Sequence, residues 1–534
     1  MSPILIGNCR KCKTGIVLSE LSISQHVLDN IPKPIGTEAV VILDIDLESI
    51  DLAIVHNRKS TTLIRASVRQ VHRKTKKIIS QYVFYTVRKT ERYKLQRAVS
   101  AMDEFSYGML KYDAYIPRIL DRHVAFALED FGGVNIRGPK YCGKTWTGYA
   151  FANSAFVAMS SEGATPSRDM IEAAPELALR GASPHLIDEW QEVPQLWDMV
   201  RAAIDASGKE RTFVLTGSST PREQRPAHSG IGRIERLHMR PMTLLESGTS
   251  SGEVSIRALF AGKSPQAMAP KMDAEKLAGL VVRGGWPGNL STPGTRADRL
   301  ARNYVELFLG EDMHKIDSVR RDPAKMRRLM LSYARNAEQA ATPKTLIRDM
   351  TAEPGAEPLA KETVDDYTSV LEDTFILEEI GPWAPHLRSP LRISKKPKYH
   401  FVDPSIPAAL LRLTPGKLLG DFETFGFLFE SLCMRDLLVY AQSQDGDVYF
   451  YRDRDDLEVD AIVEAADGAW AGIEVKIGHN QAEKAAANLL RLSDKIRRAG
   501  GRPPAFLLVL EGLGDYAYRR TDGVYVAPIA VLAP

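Results

Sequence analysis

At 534 residues the chain has room for about three domains, each with a core of its own. Hydrophobic residues make up 44% and charged residues 26%, which excludes a disordered or fibrous chain, and the net charge of +3 points to no particular partner. Four cysteines (Cys9, Cys12, Cys142 and Cys433) are too few for a disulfide framework at this size, and no apolar run reaches the roughly 18 residues of a spanning helix. A cytoplasmic protein without a membrane partner is therefore expected.

Residues 1–110 read as a basic extension of unknown role. Val40–Leu47 and Tyr82–Val87 have strand patterns, and Cys9 and Cys12 form a lone C-x-x-C that lacks the two further ligands of a zinc site. Between Arg58 and Arg97 the chain is rich in Arg and Lys, with Glu91 the only acid and with Tyr82, Phe84, Tyr85 and Tyr93 interleaved. That composition could bind nucleic acid, although it reads first as a solvated, partly disordered extension. Met102 and Met109, just before the next region, also allow a later translation start.

Residues 111–245 alternate strand and helix patterns, which predicts a parallel sheet with flanking helices. Within them Gly138-Pro-Lys-Tyr-Cys-Gly-Lys-Thr145 fits the phosphate-binding loop pattern G-x-x-x-x-G-K-[ST], after a strand-like Val134–Arg137 and before a helix from Lys144. Gly138 and Gly143 let the backbone curl its N–H groups around phosphate oxygens. Lys144, expected at the loop's solvated rim, can reach the outer phosphates, and the Thr145 hydroxyl can ligate Mg²⁺. Pro184-His-Leu-Ile-Asp-Glu189 is an apolar run ending in two carboxylates. At the carboxyl end of a buried strand, Asp188 would hold Mg²⁺ and Glu189 would polarise the attacking water. Arg211–Ser219 is a further strand ending in small polar residues, of which Thr216, Ser218 or Ser219 can sense a γ-phosphate.

This succession resembles prokaryotic AAA-type ATPases. The resemblance rests on Tyr115-Ile-Pro-Arg-Ile-Leu-Asp121, the phosphate loop, Ile187-Asp-Glu-Trp-Gln191, Leu215-Thr-Gly-Ser-Ser219 and Gly232-Arg233. Those proteins carry a C-terminal region of unknown function with a restriction-endonuclease-like part, whose landmarks are similar to Gly284-Gly-Trp-Pro287 and Tyr399-His-Phe-Val-Asp403. The resemblance covers residues 111 to 530 and implies ATP and Mg²⁺ as cofactors, hydrolysis, and a homo-oligomer. Arg233 is the candidate arginine finger on the γ-phosphate of its own or a neighbouring subunit.

Residues 246–415 read as helical, beginning with a looser Gly/Ser/Ala-rich stretch from Glu246 to Lys271. Helical patterns over 324–380, including Glu362–Ile380, precede strand-like Leu391-Arg-Ile and Lys398–Val402, a winged-helix-like order. The would-be reading helix carries Glu362, Asp365, Asp366, Glu372 and Asp373 and would be repelled by phosphates, while a wing with Arg392, Lys395, Lys396 and Lys398 can contact them.

Residues 416–534 end the chain with a helix, Thr424–Tyr440, and a strand meander at 448–476. Strand alternation puts Glu474 and Lys476 on one face, where Asp460 from the neighbouring strand can approach. With Glu430 on the helix, this set is similar to the metal-dependent centre of PD-(D/E)XK nucleases, in which carboxylates hold Mg²⁺ and a lysine helps make hydroxide. Cross-strand Asp–Lys pairs also occur without any metal. The sequence thus describes an α/β protein with a P-loop NTPase sheet, a winged-helix-like middle and a restriction-endonuclease-like end. Three functions fit it: an ATP-driven switch or motor, an ATP-gated nuclease acting on nucleic acid, and a nucleotide-regulated interaction protein without turnover.

Overall fold

The computed structural model describes the backbone at 39–46, 49–56 and 60–67, and residues 107–534 except 159–172, 208–210, 223–227, 293–295, 315, 318, 340, 352–358 and 386–396. Cys9, Cys12, the Tyr82–Val87 strand, most of the basic stretch, Met102 and the wing residues Arg392, Lys395 and Lys396 lie outside the described residues. The chain divides into two compact units, 1–94 and 95–534. In the first, β1 (Ala39–Asp46), β2 (Ser49–His56) and β3 (Ser60–Ser67) form an antiparallel meander, with Ala39 opposite His56 and Ser49 opposite Ser67.

The second unit begins with α1 (Asp121–Asp130), β4 (Gly133–Arg137), α2 (Lys144–Phe151), β5 (Ser154–Val157), β6 (His185–Asp188), α3 (Gln195–Ser207), β7 (Phe213–Gly217) and β8 (Ile234–His238). The five strands make one parallel sheet in the order β5-β6-β7-β4-β8. β4, β6 and β7 are buried along almost their whole length, as parallel strands covered on both faces must be. β7 and β8 flank β4 on either side, so the β4 exit and the loop that follows it lie at the carboxyl edge of the sheet between two neighbouring strands.

The expected boundary at 245/246 does not separate two cores. The stretch read as loose contains β9 (Val254–Ser255) and β10 (Ala267–Met268), which pair with β19 (Leu532–Ala533) and β17 (Tyr516–Arg519) near the chain's end. Leu244, Ile256, Leu259 and Leu277 share a core with the long C-terminal helix. Helix α4 (Ala274–Arg283) packs into that same core, and a second core is built by α5 (Asp298–Gly310), α6 (Pro323–Arg335), α7 (Pro343–Met350) and α8 (Lys361–Asp373) with Trp286 and Phe401. The helix expected to run to Ile380 stops at Asp373. Phe375 takes a positive φ of 57°, and the chain turns into β11 (Leu377–Ile380), paired antiparallel with β12 (Lys398–Phe401).

The C-terminal part is a seven-stranded mixed sheet between two helices. α9 (Phe422–Gln442) leads to the antiparallel meander β13 (Asp447–Arg452), β14 (Glu458–Glu464) and β15 (Trp470–Lys476). Helix α10 (Ala482–Arg498) then carries the chain over to β16 (Phe506–Glu511), parallel to β15, followed by β17 and β18 (Tyr525–Pro528). The sheet order is β10-β17-β18-β16-β15-β14-β13. Alternation sorts the strands' side chains cleanly. Ala461, Ala471, Ile473 and Val475 pack with α9, whereas Ile462, Trp470 and Val509 pack with α10.

Candidate functional site

The phosphate-loop residues stand where β4 ends and α2 begins. A Cβ on Gly138 would lie 2.1 Å from the Met239 carbonyl oxygen, and Gly143, at φ 109°, forms the left-handed corner before the helix. Lys144 is not at a solvated rim: it is only 4% exposed, and its ammonium donates back to the Pro139 carbonyl at 2.8 Å. Thr145 Oγ1 donates to both Asp188 oxygens, at 3.0 and 3.2 Å, and the Thr216 hydroxyl donates to Asp188 as well. Burial pushes the Asp188 carboxyl up, and the Thr216 hydrogen bond pulls it back. Glu189, at φ 56°, leaves the strand with its N–H on Thr216 Oγ1 at 3.0 Å. Its carboxylate accepts from Ser218 Oγ at 2.9 Å and from the Gln191 amide. Gly138, Gly143, Lys144, Thr145, Asp188, Glu189 and Ser218 are thus brought to one edge of the sheet.

Arg233 is not among them. It precedes β8, whose first residue pairs with Gly133 at the start of β4, so it sits at the opposite end of the sheet from the loop. Its guanidinium binds Asp205 at 2.8 Å and is half exposed. The finger role on its own subunit's γ-phosphate is therefore excluded by distance along the strands.

Two arginines that the sequence reading passed over hold the site in place. Arg118, 4% exposed, donates to the Cys142 carbonyl of the loop at 2.8 Å, to Glu246 at 2.9 Å and to the Arg240 carbonyl at 2.7 Å. Glu246 in turn accepts the Ile119 and Thr243 N–H groups, each at 2.8 Å. Arg222, four residues past Ser218, binds Asp373 at 2.5 Å and Asp366 at 3.0 Å on α8, and Arg321 takes Asp366 at 2.9 Å. Asp366 and Asp373 of the acidic helix are thus spent inside the protein, while Glu362 and Asp365 stay exposed. Beside it a cleft of about 360 Å³, lined by Lys140, Gln191, Ser218, Tyr304 and Asp312 among others, opens next to the phosphate loop. The signal for Arg118 was its place inside the Tyr115–Asp121 motif; for Arg222 there was none.

At the far end of the chain Lys476 Nζ donates to Asp460 at 3.1 Å and to Glu474 at 2.7 Å, and Asn488 of α10 donates to Glu474 at 2.6 Å. Burial opposes the Lys476 ammonium, but Asp460 and Glu474 outweigh it and raise its pKa. The expectation that Glu430, Asp460 and Glu474 form a three-carboxylate metal group is not met in this arrangement. Among the described residues no three His, Cys, Asp or Glu side chains gather closely enough to hold a metal ion, and the ammonium of Lys476 stands between two of the acids. Glu430 lies near enough to feel Asp460, which adds to burial in pushing its carboxyl well up. Lys398, expected on an exposed wing, is 4% exposed and ion-paired to Glu458 at 2.6 Å.

Comparison with known proteins assigns three segments. Residues 131–247 match an AAA domain family, while 274–417 and 425–532 match two domains of unknown function. Uncharacterized proteins of Mycobacterium bovis and Mycobacterium tuberculosis are each 25% identical over 350 residues, covering 64% of this chain and 70% of theirs. The Walker-type ATPase of Pyrococcus abyssi shares 15% identity over 57% of this chain and 97% of its own, with a TM-score of 0.36. A RuvB variant of Thermotoga maritima shares 16% over 51% and 93%, with a TM-score of 0.24. Superpositions this partial carry no argument. No described helix is long and apolar enough to cross a membrane. The AAA match over 131–247, together with the loop at the carboxyl end of an interior strand of a five-stranded parallel sheet, supports an AAA-type P-loop ATPase domain in this part of the chain.

Proposed function

We propose that the chain is a Mg²⁺-dependent ATPase that works as a molecular switch or motor. The observation that carries this is the division of the two neighbouring carboxylates: Asp188 is held by Thr145 of the loop, and Glu189 by Ser218 at the end of the next strand. The donor set fits the cofactors. A hydroxyl beside a carboxylate suits a hard cation, and a loop too tight for a Cβ at Gly138 leaves its backbone free to meet phosphate oxygens. Bound Mg²⁺ would neutralise charge between the outer phosphates. Thr145 and Asp188 would hold it, Lys144 would swing from the Pro139 carbonyl to phosphate, and Glu189 would orient the attacking water once Ser218 releases it. Glu189→Gln is expected to keep Mg-ATP bound and to slow hydrolysis by about 10²–10⁴-fold, because an amide keeps the shape but cannot take a proton. Asp188→Ala is expected to weaken binding only when Mg²⁺ is present. Identical behaviour of the two variants in separate binding and phosphate-release assays would remove this division of roles. In a homo-oligomer Arg233 would serve a neighbour's site rather than its own.

A second reading is an ATP-gated, metal-dependent nuclease, favoured by the contact of Asp460 and Glu474 with one lysine. The fold around them, a helix, an antiparallel meander and a parallel fourth strand, supports that reading. Asp460 and Glu474 would hold a divalent ion, which when bound would supply the hydroxide, and Lys476 would meet the scissile phosphate. Cleavage with Mn²⁺ is expected to vanish in Asp460→Ala, Glu474→Ala and Lys476→Ala alike; loss in only one of them would disprove a shared centre.

A further inference from the structure

We infer that single-stranded nucleic acid lies across the strip Met268–Tyr516–Tyr518–His479, exposed at Met268, Tyr516 and His479 and half-buried at Tyr518, which borders the face of the Asp460–Glu474–Lys476 centre. The inference names the substrate class of the nuclease reading and rests on it for what happens at the centre, though not for binding. Three observations place these residues together. Met268 and Tyr516 are paired across β10 and β17 and are 70% and 50% exposed, which neither the core nor any described neighbour requires. The Tyr516 and Tyr518 rings stand 5.2 Å apart, two residues along one strand and so on one face, and the His479 ring is 6.3 Å from Tyr518. His479 Nδ1 lies 2.9 Å from Glu511, and Glu511 is the register partner of Lys476.

Directly paired residues of neighbouring strands present their side chains to the same face, so Glu511, Lys476 and Glu474 share the face that His479 and Tyr518 border. Glu511 is 1% exposed and His479 58% exposed, so the acid fixes the imidazole from below while its outer edge meets solvent. Aromatic rings in file are what unstacked bases need, since every base offers a π-face. Duplex bases are not available to such a strip. Arg520, which interacts with Tyr518, is already taken by Asp522 and Glu483, so stacking and not charge is the main attraction.

The test measures binding of a fluorescein-labelled oligo(dT) and of the matching duplex to the full-length protein in EDTA, where no cleavage can occur. Single strand is expected to bind at least about tenfold tighter than duplex, with a shallow salt dependence. Tyr516→Ser and Tyr518→Ser are each expected to weaken it about tenfold or more, on the scale of one lost base stack. Tyr516 is half exposed, and an unchanged unfolding midpoint and unchanged ATP hydrolysis in its variant certify the fold. Wild-type affinity in both variants, equal binding of duplex, or no binding by the wild-type protein overturns the inference. Strip-dependent binding upholds it, and if the same protein then fails to cut with Mn²⁺, the nuclease reading falls by itself.

Discussion

Lys144→Ala is expected to weaken ATP binding by about 10- to 100-fold or more and to abolish hydrolysis. A hydrogen bond to a charged group contributes about 1.5–3 kcal/mol, and an ammonium between two phosphates makes more than one. The loop is otherwise preorganised from behind, because Arg118 holds the Cys142 carbonyl whether or not Lys144 is present. Lys144 is nearly buried, so alanine also removes packing and the bond to Pro139. Lys144→Met keeps most of the side chain's bulk and separates the two effects. Both variants should lose nucleotide, while alanine, which loses packing as well as the Pro139 bond, should lower the unfolding midpoint more than methionine. Unchanged nucleotide affinity in Lys144→Met, measured by titration, would remove the phosphate-loop assignment.

Arg435→Ala is expected to be the most damaging single change outside the nucleotide site, at about 3–5 kcal/mol. Arg435 is 1% exposed and lies between Asp403 and Asp436, both fully buried, at 3.0 and 2.7 Å. Asp403 also accepts the Gly285 N–H at 2.8 Å, and Asp436 accepts the Leu244 N–H at 2.9 Å. One guanidinium thus ties the long helix α9 to the glycine turn before Trp286, to the end of the ATPase segment, and to the turn after β12. Its removal strands two buried carboxylates. Burial already pushes Asp436 up to about 6 with Arg435 present, and without the guanidinium that carboxyl would move higher. A carboxyl raised in the folded state gives stability that is lost as pH rises through the folded value. The variant should therefore lag wild type more at pH 8 than at pH 5. Urea midpoints at the two pH values check this, and an equal deficit at both would show that the acids are not what destabilises it. Lysine should not rescue, because a single ammonium cannot reproduce the forked contact with Asp403 and Asp436.

The sequence by itself determined the parts that depend on local chemistry. The phosphate loop needs glycines at Gly138 and Gly143, and Asp188 and Glu189 end an apolar run too short and too β-rich to be anything but a buried strand. Glu474 and Lys476 share a face because strand alternation leaves no choice. These features are written in spacings of a few residues, which any neighbouring structure must respect. Tertiary structure alone decided the rest, because each case turns on a partner far away in the chain. Glu246 to Lys271 looked loose since β9 and β10 have two residues each, and they become strands only against β19 and β17. Arg233 looked like a finger until the parallel register of β8 placed it at the wrong end of the sheet. Lys398 read as a wing cation and is buried against Glu458, while Asp366 and Asp373 of α8 read as part of a repulsive surface and are neutralised by Arg222 and Arg321. A charge's pattern shows that it must be solvated or paired; only the fold says which, since the cost of burial is offset by whichever opposite charge the folded chain brings near.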